Sequence, residues 1–355
     1  MIQLTESRKR VKEAIAEIHA GNMVIMVDDE DRENEGDLVF AADDVSPEKV
    51  NFMATHARGL ICLSLASEIS TKLDLLPVKN SQNARKSTAF TNSIEARQGV
   101  TTGISAADRA QTIKVAIDQK SQPSDLVTPG HVFPLVARDG GVLERAGHTE
   151  GSVDLVRLSD KKPAAVICEI MNEDGTMSRR DDLEKFSKKF NLKIVSVADI
   201  VAYRLEKDNL IDEISSKEIQ HKNKTFYFSE IFSEIDGQVH YVLSTHKKFS
   251  KDDIVDVRVH RQNPRKDVLD TFLNEGPFYL GLKMLEKSEK AVFTYLNSNN
   301  TSSIQPTLFK AYGLGAQILR HLNINKMHVY TRSEIKFGGL DSFGLKILDT
   351  KQLEG

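Results

Sequence analysis

Residues 23–37 read MVIMVDDEDRENEGD. The opening run, Met23 to Val27, is apolar and partly β-branched, which predicts a short buried strand. The ten residues that follow, Asp28 to Asp37, carry seven carboxylates. If that segment is extended, Asp31, Glu33, Glu35 and Asp37 share one face, because strand side chains alternate. Such a face repels itself unless a cation or a basic partner neutralises it. Two readings stand. One is a solvated acidic loop. The other is a site for a hard cation such as Mg2+, which takes one or two protein carboxylates and completes its shell with water or substrate oxygens. A loop directly after a buried strand is where α/β folds place active sites.

Upstream, Val11, Ala14, Ile15 and Ile18 recur at helical spacing, and Gly21 stops the helix. Downstream, Ser46-Pro47-Glu48 opens a helix, with Ser46 as N-cap and Pro47 where a missing N–H costs nothing. Leu60 to Leu65 reads as a strand. Residues 79–104 are rich in Ser, Thr, Asn and Gly and read as loops and short strands. A capped helix follows over 106–118. Strands are expected at 131–137, 164–171 and 192–197, and helices at 181–190 and from Ser196 to about Leu205. Strands alternating with helices imply an α/β (or α+β) domain with a mixed sheet, over residues 1–205.

Residues 206–223 are polar and weakly periodic, and a linker is expected there. The remainder, 224–355, reads as a smaller α/β domain. Asp236-Gly237 between two alternating runs is a hairpin signal. A helix near 266–285, a strand at 291–296, a helix at 311–322 and a strand at 327–330 follow.

Composition narrows the function class. The chain has 355 residues, 40% apolar and 28% charged, which fits two ordinary globular domains. A net charge of −3 gives no reason to expect nucleic acid or an anionic membrane as partner. The two cysteines, Cys62 and Cys168, form no CxxC pair, so neither a disulfide framework nor a Cys-rich zinc site is expected. The charged, amphipathic opening lacks the apolar core of a signal peptide, and no apolar run reaches membrane-spanning length. A cytoplasmic location is expected.

Three further stretches offer chemistry. Glu144-Arg145-Ala146-Gly147-His148-Thr149-Glu150 supplies an Arg, a glycine amide, a hydroxyl and an imidazole in one loop. It reads as an ordinary polar turn or as a phosphate site. Thr128-Pro129-Gly130-His131 reads as a turn that delivers a histidine to a strand edge, in a structural or a working role. Glu169 lies in the apolar run 164–171. A carboxylate there is expensive to bury unless paired or protonated. It is either a proton-transfer group or a solvent-facing side chain.

The strings DDEDRENEGD, TTGISAADRA, TPGHVFPL, RAGHTE and AAVICEIMNEDG stand in this order over roughly residues 6–205. Together they closely resemble 3,4-dihydroxy-2-butanone 4-phosphate synthase. The resemblance implies a Mg2+- or Mn2+-dependent lyase acting on a small phosphosugar. In that reaction ribulose 5-phosphate loses a proton next to its carbonyl, the C1 hydroxyl leaves as water, the carbon skeleton shifts, and C4 departs as formate. By the family pattern Arg32 and Glu33 contact substrate, and Asp37 orients a substrate hydroxyl. Residues Arg145, Ala146, Gly147, His148 and Thr149 bind the phosphate and substrate. Glu33 and His148 are the metal ligands, and His131 and Glu169 are required for catalysis. Cys62, Thr101 and Thr102 are expected to line the same pocket. The resemblance also implies a homodimer whose pockets are lined by both subunits.

The second half looks like GTP cyclohydrolase II, on Ile254 to His260 and Tyr312 to Leu319. Working members hold catalytic zinc on three cysteines after the RVH-like strand. Here that stretch reads RQNPRKDVLDTFLNEG, without a cysteine. No zinc and no cyclohydrolase activity are expected from it. Tyr312-Gly313-Leu314-Gly315 misses the GxGxxG spacing and reads as a helix start. A bifunctional enzyme and a non-catalytic scaffold are the alternative readings.

Overall fold

The computed structural model describes residues 2–28, 32–78, 88–234, 236–297, 308–331 and 344–353. The chain folds as two compact units, one of Glu6–Tyr203 and one of Met1–Thr5 with Arg204–Gly355.

In the first unit the elements run α1 (Ile2–His19), β1 (Val24–Val27), β2 (Gly36–Ala41), α2 (Pro47–Phe52), β3 (Cys62–Leu65), α3 (Ser67–Lys72), β4 (Ile94–Ala96), α4 (Ala106–Ile117), β5 (Leu126–Val136), α5 (His148–Leu158), β6 (Ala164–Glu169), α6 (Arg180–Phe190), β7 (Lys193–Ser196) and α7 (Val197–Lys207). Their strands form a seven-stranded mixed sheet ordered β4-β5-β3-β6-β2-β1-β7. β1 and β2 are buried along their whole length, as are β3 and β6 up to Cys168. A strand covered on both faces needs an unbroken apolar run, which is what the sequence shows at 23–27 and 164–168. Phe40, Leu63, Val166 and Ile25 lie in this core at full burial. Each such side chain contributes about 1.5–3 kcal/mol by leaving water.

The helix ends follow local chemistry. Ser46 caps α2 by accepting from the Lys49 amide, and Ser105 caps α4 by accepting from the Asp108 amide.

The second unit continues with β8 (Ile211–His221), β9 (Lys224–Ser233), β10 (Gln238–Ser244), β11 (Ile254–Arg261), α8 (Pro264–Leu273), α9 (Gly276–Lys287), β12 (Ala291–Leu296), α10 (Leu308–His321), β13 (Lys326–Thr331) and β14 (Lys346–Gln352). They form a second seven-stranded mixed sheet ordered β14-β13-β11-β12-β10-β9-β8. The expected hairpin at Asp236-Gly237 joins β9 to β10, with Gly237 at φ +67°.

Three expectations are corrected. Residues 206–223 are not a linker: Ile211–His221 is β8, paired with β9 at the sheet edge. An edge strand exposes most of its side chains, and its polarity reads as a linker. The helix expected near 266–285 is two helices, because Asn274 at φ +55° and Gly276 at φ +84° break it. The turn at 128–131 lies inside the long strand β5. Ile94 pairs with Val132 and Glu95 with Val127, so residues 128–131 bulge from the β4 ladder. Gly130 is required there, since a Cβ would stand 2.0 Å from the Ile94 carbonyl oxygen.

Tyr312-Gly313-Leu314-Gly315 lies within α10. Residues 298–307, between β12 and α10, lie outside the described residues. Among the described residues no helix is long and apolar enough to cross a membrane.

Candidate active site

Antiparallel pairing of β1 with β2, Val27 opposite Gly36, turns residues 28–35 into a hairpin loop. Glu33 and Glu35 lie outside both strands, and Asp31 lies outside the described residues. Asp28 ties the loop at its neck. Its Oδ1 accepts from the Glu35 amide at 2.9 Å, and its Oδ2 accepts from Arg32 Nη1 at 2.6 Å and from the Glu33 amide at 3.3 Å. Asn34 takes the left-handed conformation at φ +54°, which Asn tolerates. Arg179, just before α6, donates to the carbonyls of Glu33 and Asn34.

The folded loop delivers Arg32, Glu33 and Glu35 to a cleft of about 350 Å³. Asp37 on β2 and Glu169 at the end of β6 face each other across adjacent strands. Both line the cleft, with Cys62 of β3 and Arg145, His148 and Thr149 of the α5 loop. Glu169 is held by the Leu60 amide, which donates to its Oε2 at 2.9 Å. Gly59 permits this approach, since a Cβ would lie 2.3 Å from the Glu169 carbonyl oxygen.

Electrostatics here are set by burial. Asp37 is 3% exposed, and its Oδ1 has no hydrogen-bond partner. Desolvation, then the neighbouring charge of Glu169, holds its carboxyl well above the usual carboxylate range. Desolvation and Glu33 raise Glu35 likewise. Burial pushes the Cys62 thiol up, so it lines the cleft as a neutral group and not as a nucleophile. Burial lowers His148, which keeps its imidazole neutral, and its Nε2 is buried without a partner.

The His148 ring has carboxylates near it. Donor atoms of Asp28, Glu33 and His148 all lie within 4.8 Å of one another. Two carboxylate oxygens and a neutral imidazole suit a hard divalent cation. Arg32 Nη1 is also 2.6 Å from Glu33 Oε2, so its charge bridges Asp28 and Glu33.

Beside them, Arg145 donates from Nη1 to Glu150 Oε2 at 2.6 Å and from Nη2 to Thr88 Oγ1 at 3.1 Å. Glu150 is buried, and desolvation raises it against the pull of Arg145. Gly147 leaves room for the Arg145 guanidinium, since a Cβ would meet its Nη1 at 2.4 Å. Ala146 and Gly147 shape this loop without lining the cleft. His148 and Thr149 open α5, whose free amides favour an anion.

The model of 3,4-dihydroxy-2-butanone 4-phosphate synthase matches residues 12–203, and that of GTP cyclohydrolase II matches 298–352. The chain belongs to the 3,4-dihydroxy-2-butanone 4-phosphate synthase family. It is an enzyme of that lyase class, in riboflavin biosynthesis. It is 44% identical to riboflavin biosynthesis protein RibBA of Aquifex aeolicus, over 96% of this chain and 91% of that one. It is 41% identical to the synthase of Photobacterium phosphoreum, over 95% and 97%. Among solved structures it resembles RibBX of A. baumannii, a two-domain synthase, with TM-score 0.80, 40% identity, and coverage of 96% of this chain and 99% of that one. A synthase solved in complex with two magnesium ions matches 56% of this chain and 97% of its own, with TM-score 0.53 and 39% identity.

Two groups of expected site residues stand apart from this cleft within one chain. His131 is not in the cleft: its Nδ1 lies 2.7 Å from Glu95 Oε2, beside the β5 bulge. Thr101 and Thr102 are also elsewhere, with the Thr101 hydroxyl donating to Asp108 at 2.7 Å. The sequence reading missed the loop-holding residues Asp28 and Arg179, and the wall residues Phe90, Leu135 and Ile167. Asp28 was hidden among seven carboxylates. Phe90, Leu135 and Ile167 look like ordinary apolar residues in the sequence.

The buried Asp37 carboxyl, with Oδ1 unpartnered, makes a stability prediction. A group whose folded value is raised contributes stability at low pH and loses it as pH rises through the folded value. Asp37→Asn should therefore be more stable than wild type in EDTA at neutral pH, by on the order of 1–3 kcal/mol. The gain should shrink to nothing as pH falls to the ordinary Asp value of 3.8. Equal melting of the two proteins at pH 8 would mean the carboxylate is solvated or paired.

Proposed function

We propose that this cleft converts D-ribulose 5-phosphate to L-3,4-dihydroxy-2-butanone 4-phosphate and formate, with Mg2+ or Mn2+ as cofactor. The carrying observation is the convergence of Glu33 and the buried His148 beside Asp37 and Glu169. Atoms balance: the water lost from C1 is regained when C4 leaves as formate, and no electron donor or acceptor is needed.

Glu33 and His148 would hold the metal. When bound, the cation acidifies carbon next to the carbonyl and stabilises charge on the substrate oxygens. The remaining work falls to the chain. Arg145 and the first amides of α5 bind the phosphate and fix the register of the sugar. Arg32 contacts the substrate beside Glu33. Asp37, protonated by its burial, donates to a substrate hydroxyl and orients it. Glu169, held at Oε2 by Leu60, moves protons at the reacting carbons, and His131 does the same.

The position of His131 supports a homodimer. Within one chain it stands outside the cleft, so it would serve the cleft of the partner subunit. The second half is proposed to lack cyclohydrolase activity, since the chain's two cysteines are Cys62 and Cys168 and both belong to the first unit. A cytoplasmic location is part of the same reading, because a charged sugar phosphate does not cross a membrane unaided.

Purified protein given ribulose 5-phosphate and Mg2+ should release formate, and EDTA should abolish it. Glu33→Ala and His148→Ala should each lower the rate by at least about 10–100-fold. Folded, Mg2+-loaded protein that releases none would sink the proposal. GTP supplied with zinc should yield no formate; a zinc-dependent release would overturn the silent second half. Mixing inactive His131→Ala and Glu169→Ala proteins should recover roughly a quarter of wild-type activity, because half the re-formed dimers carry one intact cleft. No recovery after verified subunit exchange would place both groups in one chain.

A further inference from the structure

Helix α8 of the second unit is built inside out. Its inward side is polar. Asp267 is buried, and its carboxylate lies 2.8 Å from His260 Nε2 on β11 and accepts from the Tyr295 hydroxyl on β12 at 2.9 Å. It also accepts from the Asn263 amide at 2.9 Å. Asp270, half-buried, accepts from the Phe278 amide of α9 at 3.0 Å. These bonds seat α8 on the strands and on α9, where an apolar stripe would normally do so.

The apolar residues point the other way. Val268, Leu269, Phe272 and Leu273 are each between 50% and 80% exposed. Residues 268 and 272, and 269 and 273, are helical neighbours, so the four make one patch. A single exposed leucine needs no explanation, but four large side chains on one helical face do. They present on the order of 400 Å² of apolar surface, the size at which a patch on a soluble protein marks an interface. The charges around it are ordered. Arg265, exposed, lies on the same face at the N-terminal end, and exposed Glu275 follows the C-terminal end. A second α8 laid antiparallel brings its Glu275 to this Arg265 and its Arg265 to this Glu275. A parallel one brings like charges together. The face is thus complementary to itself, as a two-fold contact requires. A stable interface takes about 800 Å² from each partner, with an apolar core and a polar rim. The patch supplies the core, and the charged ends belong to the rim.

We propose that α8 is a self-pairing surface: two copies of the chain pack α8 against α8, antiparallel across a two-fold axis, with Val268, Leu269, Phe272 and Leu273 as the core and an Arg265–Glu275 pair at each end. The occupant is a second copy because one face carries both halves of the charge pair. The contact lies wholly within the second unit. It is separate from a dimer whose partners share the catalytic cleft, and it stands whether or not that cleft has the proposed activity. It gives the second unit a task of its own, which is to join chains.

Disulfide cross-linking of the full-length protein tests it. Both native cysteines are buried, so a cysteine placed on α8 is the accessible thiol under mild oxidation. Leu269→Cys, near the middle of the face, should form a linked pair at micromolar protein. Asp252→Cys, on an exposed turn of the same unit, should not. Adding Phe272→Glu to Leu269→Cys should cut the linked fraction at least about tenfold, because it puts an unpaired charge in the core of the contact. Arg265→Glu or Glu275→Arg alone should cut it at least about twofold, and the two together should restore it. All these positions are exposed, so melting temperatures should stay near wild type. A folded Leu269→Cys protein that links no better than Asp252→Cys overturns the self-pairing and leaves the face to a different partner. Linking that survives Phe272→Glu, or a double charge reversal that links no better than the single ones, overturns the antiparallel contact.

Discussion

The cost of removing carboxylates from water governs this structure. Asp37 and Glu169 stand opposite each other on adjacent strands, and Glu33, Glu35 and Asp28 fold back toward them. Like charges at that spacing cannot all ionise cheaply in a desolvated cleft. Each feature nearby answers that constraint. Arg32 bridges Asp28 and Glu33, amides of the loop saturate Asp28, and Leu60 satisfies Glu169. What stays unanswered is Asp37 Oδ1 and His148 Nε2, both buried without a partner. The unsatisfied atoms are those the proposed substrate and cation would occupy.

The scaffold supplies the rigidity this demands. β2, β3 and β6 are covered on both faces, so their ends cannot drift to relieve the repulsion. Gly59 lets the backbone of Glu169 approach where any side chain would intrude, and Gly147 leaves room for the Arg145 guanidinium. Arg179 clamps two carbonyls of the acidic loop from the start of α6. A site that stores destabilisation in one place depends on a well-packed sheet elsewhere.

In the second unit the stretch after β11 carries no cysteine. Where cysteines would follow β11, α8 begins instead, capped by Asn263, whose side chain accepts from the Lys266 amide at 3.2 Å. Asp267 of that helix accepts from His260 Nε2 at 2.8 Å and from the Tyr295 hydroxyl at 2.9 Å. His260 is stacked between Phe293 and Tyr295, and burial holds it below its usual range. Hydrogen bonds and aromatic packing thus tie β11, α8 and β12 together in that corner.

The sequence by itself determined the residue types and the periods. Unbroken apolar runs announced the doubly covered strands, and Ser46 and Ser105 announced their helices, because caps and burial patterns are local. The ordered motifs announced the family, and the lack of cysteines in the second half was plain. Local polarity misled at 211–221, where an exposed edge strand looks like a linker, and at 266–285, where the αL break at Asn274 interrupts good helical periodicity. Distances belonged to the tertiary structure. Which carboxylates meet His148 depends on a hairpin folding back and not on alternation. That His131 pairs with Glu95 and not with the cleft depends on a bulge in strand register. Register is a property of the whole sheet, so no short stretch of sequence carries it.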